Sequence, residues 1–205
     1  MAAALTDSTI EALVDRGVQV VDPFDRESLQ PSSIDLRLGN EHFGYDIKQY
    51  ILGDRYDEEK ITKDVYESLS LEHGQTAFIG IYEKISIPNQ ALGVIFPRSS
   101  ITRLGIHIVP IYLNPGYVGS PPLTITNHAG FPIILKPGYR VAQLVLFSLD
   151  GCPSRLYKDI EDAKYHEEHV EPSILYQDKE IERLLDEIIE EKAPTLFQMI
   201  KGKRS

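Results

Sequence analysis

Between Thr76 and Leu149 the apolar residues come in short runs cornered by Pro, Gly and Asn: "AFIGIYEKISIP", "ALGVIFP", "IHIVPIYL", "PLTITN", "FPIILKPG" and "YRVAQLVLFSL". Runs of this length, rich in β-branched residues and closed by turn formers, predict an all-β fold, a distorted barrel or jelly roll. Several are apolar on both faces, so both sides need cover, and another subunit is one way to provide it. Ahead of them "TDSTIEALVDRG" predicts a short helix. Thr6, Asp7 or Ser8 can cap it, Ile10, Leu13 and Val14 share a face, and Gly17 can end it. "VQVVDPF" reads as extended, and "QPSSIDLRLG" as a turn and then a strand. Residues 40–73 are charged and weakly patterned, which predicts loops or a peripheral insertion. The tail "KEIERLLDEIIEEK" places Ile181, Leu184, Leu185, Ile188 and Ile189 on one face of a helix, with Pro194 beyond its end. The expected division is a β domain over 1–176 and a helical extension over 177–205.

Composition narrows the classes. A chain of 205 residues suits one domain with appendages. One cysteine, Cys152, excludes an internal disulfide and a cysteine-based zinc cluster. No apolar run would span a bilayer, the start lacks a basic leader pattern, and the tail helix is acidic where a membrane-surface helix would be basic. The expectation is a cytoplasmic protein with no membrane partner. A formal charge of −10 argues against binding a nucleic-acid polymer. The acid is uneven, however. From Ala91 to Leu149 there is no Asp or Glu, while Arg98, Arg103, Lys136 and Arg140 all fall inside. Such a local positive field points to an anionic ligand.

The stretch "PRSSITRLG", Pro97 to Gly105, is the candidate anion site. Backbone N–H groups and the hydroxyls of Ser99 and Ser100 can line a concave nest, and Arg98 and Arg103 can add charge-assisted bonds to phosphate. Alone, the pattern reads more readily as a polar turn with solvated arginines.

Four more blocks accompany it: "DPFDRESLQPSSIDLRLG", "NPGYVG", "LKPGYRVAQLVLF" and "DAKY". In this order the five resemble the dCTP deaminase branch of the dCTP deaminase/dUTPase superfamily, over roughly residues 5–173. The resemblance implies a dUTPase-like distorted β-barrel or jelly roll, a homotrimer with active sites at subunit boundaries, and hydrolytic deamination of dCTP to dUTP. It implies no zinc, and Mg²⁺ carried on the triphosphate. It puts the phosphates at Arg98, Ser99, Ser100 and Arg103, adds Gln143 as a phosphate contact, and has Tyr157 and Lys164 close over the nucleotide. Asp35, in "PSSIDLRLG", reads as architecture, holding backbone or a neighbouring subunit.

The departures fall on the chemistry. Deamination at C4 needs an activated water and protons for N3 and the leaving amine, work suited to one carboxylate. The position that the resemblance gives to a glutamate holds Thr124, and the aspartate of the corner turn is Asn114. Neither side chain is a general base near neutral pH. Glu168 stands where relatives tend to have glutamine, and would repel a triphosphate if it faced one. The segment between Arg103 and Asn114 is about two residues shorter than in typical deaminases, which alters the floor under the base. His128 follows Thr124 and Thr126 in strand alternation, and His107 lies near the shortened loop, so either could handle protons or be structural. Four functions stand at this point: a dCTP deaminase with weakened chemistry, a catalytically silent nucleotide-binding or regulatory trimer, an enzyme for a modified pyrimidine nucleotide, and a dUTPase. The last is disfavoured because Asn114 replaces the aspartate it needs.

Overall fold

The computed structural model describes residues 3–160, 163–178, 181 and 183. Two compact units emerge: Met1–Gly44 with Thr62–Glu171, and Tyr45–Ile61 with Pro172–Ser205.

The first unit is almost entirely β. Its longest helix among the described residues, α1 (Asp7–Asp15), is capped by the Thr6 hydroxyl, which accepts from the Thr9 amide, and Gly17 follows at φ +81°. The strands in chain order are β1 (Val21–Asp22), β2 (Leu29–Gln30), β3 (Ser33–Tyr45), β4 (Ile61–Val65), β5 (Leu69–Leu71), β6 (Thr76–Ile81), β7 (Lys84–Ser86) and β8 (Ala91–Pro97). A one-turn helix, α2 (Ser99–Thr102), precedes β9 (Ile106–Ile108), β10 (Ile111–Leu113), β11 (Val118–Gly119), β12 (Leu123–Asn127), β13 (Ile133–Leu135) and β14 (Arg140–Ser148). The main sheet runs β10-β8-β14-β3-β6-β12-β9, with β2 and β4 also against β3. β1-β7-β11 and β13-β5 form smaller sheets. This is the mostly-β, curled-sheet architecture that the strand pattern predicts.

Alternation on β14 shows how the pattern sets the layers. Ala142, Leu144 and Leu146 are buried, while Gln143, Val145 and Phe147 turn to the other, half-exposed face. The buried set meets Ile34, Leu36 and Leu38 of β3, Ile79 of β6 and Ile95 of β8 in one core. Asn127 closes the end of β12 without exposure. Its amide donates to the Leu71 and Phe131 carbonyls at 2.7 and 3.0 Å, and its oxygen accepts from the Ala129 amide at 2.8 Å. Asn127→Ala is expected to cost about 2–4 kcal/mol of unfolding free energy, because buried backbone groups lose their partners. Urea denaturation checks this.

Three expectations change. Residues 40–73 are not simply loops: β3 continues to Tyr45, and β4 and β5 lie within the span. Long-range pairing, which local patterning does not reveal, supplies those strands. "AFIGIYEKISIP" splits into β6 and β7, in different sheets, at a turn where Glu83 is buried. Both Glu83 oxygens accept from Arg37, one from its amide at 2.9 Å and one from its Nε at 2.7 Å. "PRSSITRLG", read as an anion nest or else a polar turn, contains the helical turn α2.

In the second unit Tyr56 meets Tyr45 and Tyr176 edge-on, and its hydroxyl donates to the Ser173 carbonyl at 2.6 Å. The helix expected over 177–205 lies almost wholly outside the described residues. Among those residues no helix is long and apolar enough to cross a membrane.

Candidate functional site

β8 ends at Pro97 and the chain turns sharply through Arg98, whose amide donates to the Val141 carbonyl of β14 at 3.0 Å. The α2 turn begins there. Its first internal bond is Ile101 N–H to the Arg98 carbonyl, so the Ser99 and Ser100 amides precede it and have no helical partner. Both serines are exposed, as is Arg103 at the C-cap, and none of their side chains makes a hydrogen bond or ion pair among the described residues. Ile101 and Leu104 turn the other way, over a cavity of about 240 Å³ that Ile125 and Val141 also line.

The Arg98 side chain folds inward. Its Nε lies 3.3 Å from Asp35 Oδ1, and Nη1 donates to the Arg140 carbonyl at 3.2 Å. Asp35 is 1% exposed, and neither of its oxygens has a well-aligned hydrogen bond, so the contact with Arg98 is one of charge. Burial pushes its carboxyl above the usual range, while Arg98 and then Arg140 pull it down. Gln143 stands across from Asp35 on β14, with Phe96 of β8 on its other side. Arg140 is engaged elsewhere, with Asp25 at 3.3 Å and the Glu27 carbonyl at 2.9 Å. Asp35 therefore holds a side chain of its own chain, where the expectation named backbone or a neighbouring subunit. The sequence signal was an acid between Ile34 and Leu36 in a strand otherwise buried.

A second group forms at the corner after β10. Asn114-Pro115-Gly116-Tyr117 is a type II turn, with Gly116 at φ +78° and the Tyr117 amide bonded to the Asn114 carbonyl at 3.0 Å. A Cβ on Gly116 would also approach Leu156 Cβ at 3.0 Å. The Tyr157 amide donates to the Pro115 carbonyl at 2.9 Å, and its hydroxyl accepts from the Tyr165 amide at 3.1 Å, beside the half-buried Lys164. Glu168 is here as well. Its Oε1 accepts from the buried Tyr117 hydroxyl at 2.7 Å, so in this structure it faces a phenol and not the arginines of the anion site. Burial pushes its carboxyl up to about 7, with Glu171 adding to the rise and Tyr117 opposing it.

Thr124 occupies a third place. On the half-exposed face of β12 it stands opposite Phe78 of β6, whose ring stacks on Phe43 with centroids 4.8 Å apart. Next along this face, Thr126 bonds Thr76 through their hydroxyls at 2.8 Å, and His107 stands opposite Thr126. The rings of His107 and His128 are 6.0 Å apart, a step beyond Thr124 and not against it. Strands β6, β9 and β12 contain no acid at all. The candidate residues thus form three groups in one chain. Among the described residues no three His, Cys, Asp or Glu side chains gather as metal ligands.

Residues 4–149 match the family model described as dCTP deaminase-like. The chain belongs to that family. Its relatives include the dUMP-forming dCTP deaminase of Methanosphaera stadtmanae, 34% identical over 176 residues that cover 80% of this chain and 88% of that one. The dUMP-forming dCTP deaminase of Nanoarchaeum equitans is 32% identical over 195 residues, covering 85% and 98%. Among solved structures, the 2′-deoxycytidine 5′-triphosphate deaminase of Agrobacterium tumefaciens superposes with a TM-score of 0.57 at 22% identity. That match covers 72% of this chain and about half, 48%, of the other, and what it shares is the fold. The dCTP deaminase-like match takes in the candidate anion site, the corner turn and Thr124. It stops before Tyr157, Lys164 and Glu168.

Proposed function

We propose that this protein binds a pyrimidine deoxynucleoside triphosphate and, as an enzyme of deoxynucleotide metabolism, hydrolytically deaminates dCTP to dUTP at a rate held down by Thr124. The observation that carries the reading is the β8–α2 junction. There Arg98 is braced on a buried carboxylate while the Ser99 and Ser100 amides, their hydroxyls and Arg103 are left for an anion. Such a grip is preorganised, because the charge is fixed before ligand arrives. Mg²⁺ would arrive on the phosphate oxygens. Gln143 flanks the grip, and Tyr157 and Lys164 would close over the nucleotide.

In the reaction, water adds to C4, its protons pass to N3 and the amine, and ammonia leaves. The Thr124 hydroxyl can hold a water or N3 by hydrogen bonding but cannot take the proton near neutral pH. Asn114 can bond a sugar hydroxyl and cannot activate a second water. The expected product is therefore dUTP with its triphosphate intact, unlike the dUMP named for the relatives. The separation of anion site, corner and Thr124 face within one chain fits a site completed between copies, a homotrimer in the cytoplasm. Sedimentation is expected to give three times the 23.2 kDa of one chain.

Calorimetry with dCTP, followed by mass spectrometry of the products, tests the reading. Saturable binding with slow formation of dUTP is expected; absence of binding by dCTP, dUTP and dTTP alike would end it. A second reading, a silent nucleotide-binding trimer, is favoured by the loss of carboxylates at both Thr124 and Asn114. It requires binding with no ammonia released, and any measurable deamination by the unmodified protein removes it.

A further inference from the structure

The chain after Tyr157 is tied to the corner by more than its ends. The Ser120 amide donates to the Glu168 carbonyl at 2.9 Å and the Glu167 amide to the Val118 carbonyl at 2.7 Å, so residues 167–168 run beside β11 as an added strand position. Gly119 makes room for it: a Cβ there would meet the Glu168 N and O at 3.1 Å. Glu167 takes φ +58° to make the approach, a conformation that an L side chain rarely adopts without compensation. Holding the segment there are the two backbone bonds to β11 and the Tyr117–Glu168 bond.

We propose that Glu168 is a proton-operated latch: protonated, it seats the Ala163–Val170 strap on β11, and ionised, it releases the strap together with Lys164 and the partner of the Tyr157 hydroxyl. The groups facing the carboxyl set its sense. Tyr117 donates to it from the corner, Tyr157 lies behind that ring with centroids 6.0 Å apart, and Glu171 adds a like charge from just beyond the strap. His166, 6.4 Å from the Tyr157 ring by centroids, has a buried Nδ1 with no hydrogen bond. Among the described residues the causes of the carboxyl's shift are burial, Tyr117 and Glu171, while Lys164 acts on the Tyr157 phenol behind. An ionised Glu168 is thus poorly compensated when seated, and its carboxyl, pushed up to about 7 when seated, returns to the ordinary range when released. The sign follows. Seating takes up a proton, so it is strongest below the ordinary carboxylate range and weakens as pH rises to about 7, above which both states are ionised and the loss is complete.

The latch rests on the proposed nucleotide site only for its purpose, so it is tested without nucleotide. Hydrogen exchange at the Ser120 and Glu167 amides of the full chain, corrected for intrinsic rates, is expected to show local opening increased on the order of tenfold from pH 5.5 to 7.5. In Glu168→Gln, opening is expected to be low and flat over that range. A flat profile in the unmodified chain, or the same rise in Glu168→Gln, overturns the proposal. Should the variant not fold, carbon NMR of the unmodified protein decides: a Glu168 midpoint about 7 supports the latch, and one in the ordinary carboxylate range overturns it.

Discussion

Thr124→Glu is expected to raise ammonia release from dCTP by about 10²–10⁴-fold, the usual contribution of a positioned general acid–base. The position suits the role. Phe78 and Phe43 border it on one side, so a carboxyl there would be partly desolvated and its pKa raised toward neutrality. Affinity for dCTP should change little, because the proposed anion site is at the β8–α2 junction and Thr124 is on β12. Thr124→Gln, nearly the same size without the titrating group, should give no gain. Steady-state ammonia assays on the three proteins separate proton transfer from shape; a gain in the glutamine variant would show that packing had been the limit.

Arg98→Ala is expected to weaken dCTP binding by roughly 10–100-fold, since a charge-assisted hydrogen bond is worth about 1.5–3 kcal/mol. It should also destabilise the fold, by up to about 3–5 kcal/mol, because Asp35 would be left buried without its counter-charge. The two effects can be pulled apart. Arg98→Ala with Asp35→Asn should regain stability and not binding. Arg103→Ala, at an exposed position with no ion pair among the described residues, should lose binding at a stability cost within about 0.5 kcal/mol. Titration calorimetry and urea unfolding on this set test the division. Equal binding by all of them would mean that phosphate sits elsewhere.

The sequence was most legible where structure is local. α1 is announced by Thr6, its three apolar residues and Gly17, and the later strands by β-branched runs between turns; the NPGY turn follows from Pro and Gly at fixed offsets. It was least legible where distant residues meet. Asp35 and Arg98 are 63 positions apart, and only the β3-β14-β8 order brings them together. Glu168 could be ranked as a misplaced acid, but its hydrogen bond to Tyr117 depends on a strap folding back on β11. α2, four residues long, is too short for any periodicity to show. The substitution on which the proposed function turns, Thr124, is read from the resembling blocks alone; the structure adds that strands β6, β9 and β12 hold no acid.

The most direct test is to form the complex of the unmodified protein with dCTP at saturating protein and follow ammonia release in a single turnover. Expected is dCTP held at the anion site and converted to dUTP about 10²–10⁴-fold more slowly than by Thr124→Glu. Ammonia release as fast as that of the glutamate variant, or no bound dCTP at all, would contradict the separation of an intact phosphate grip from a depleted proton site.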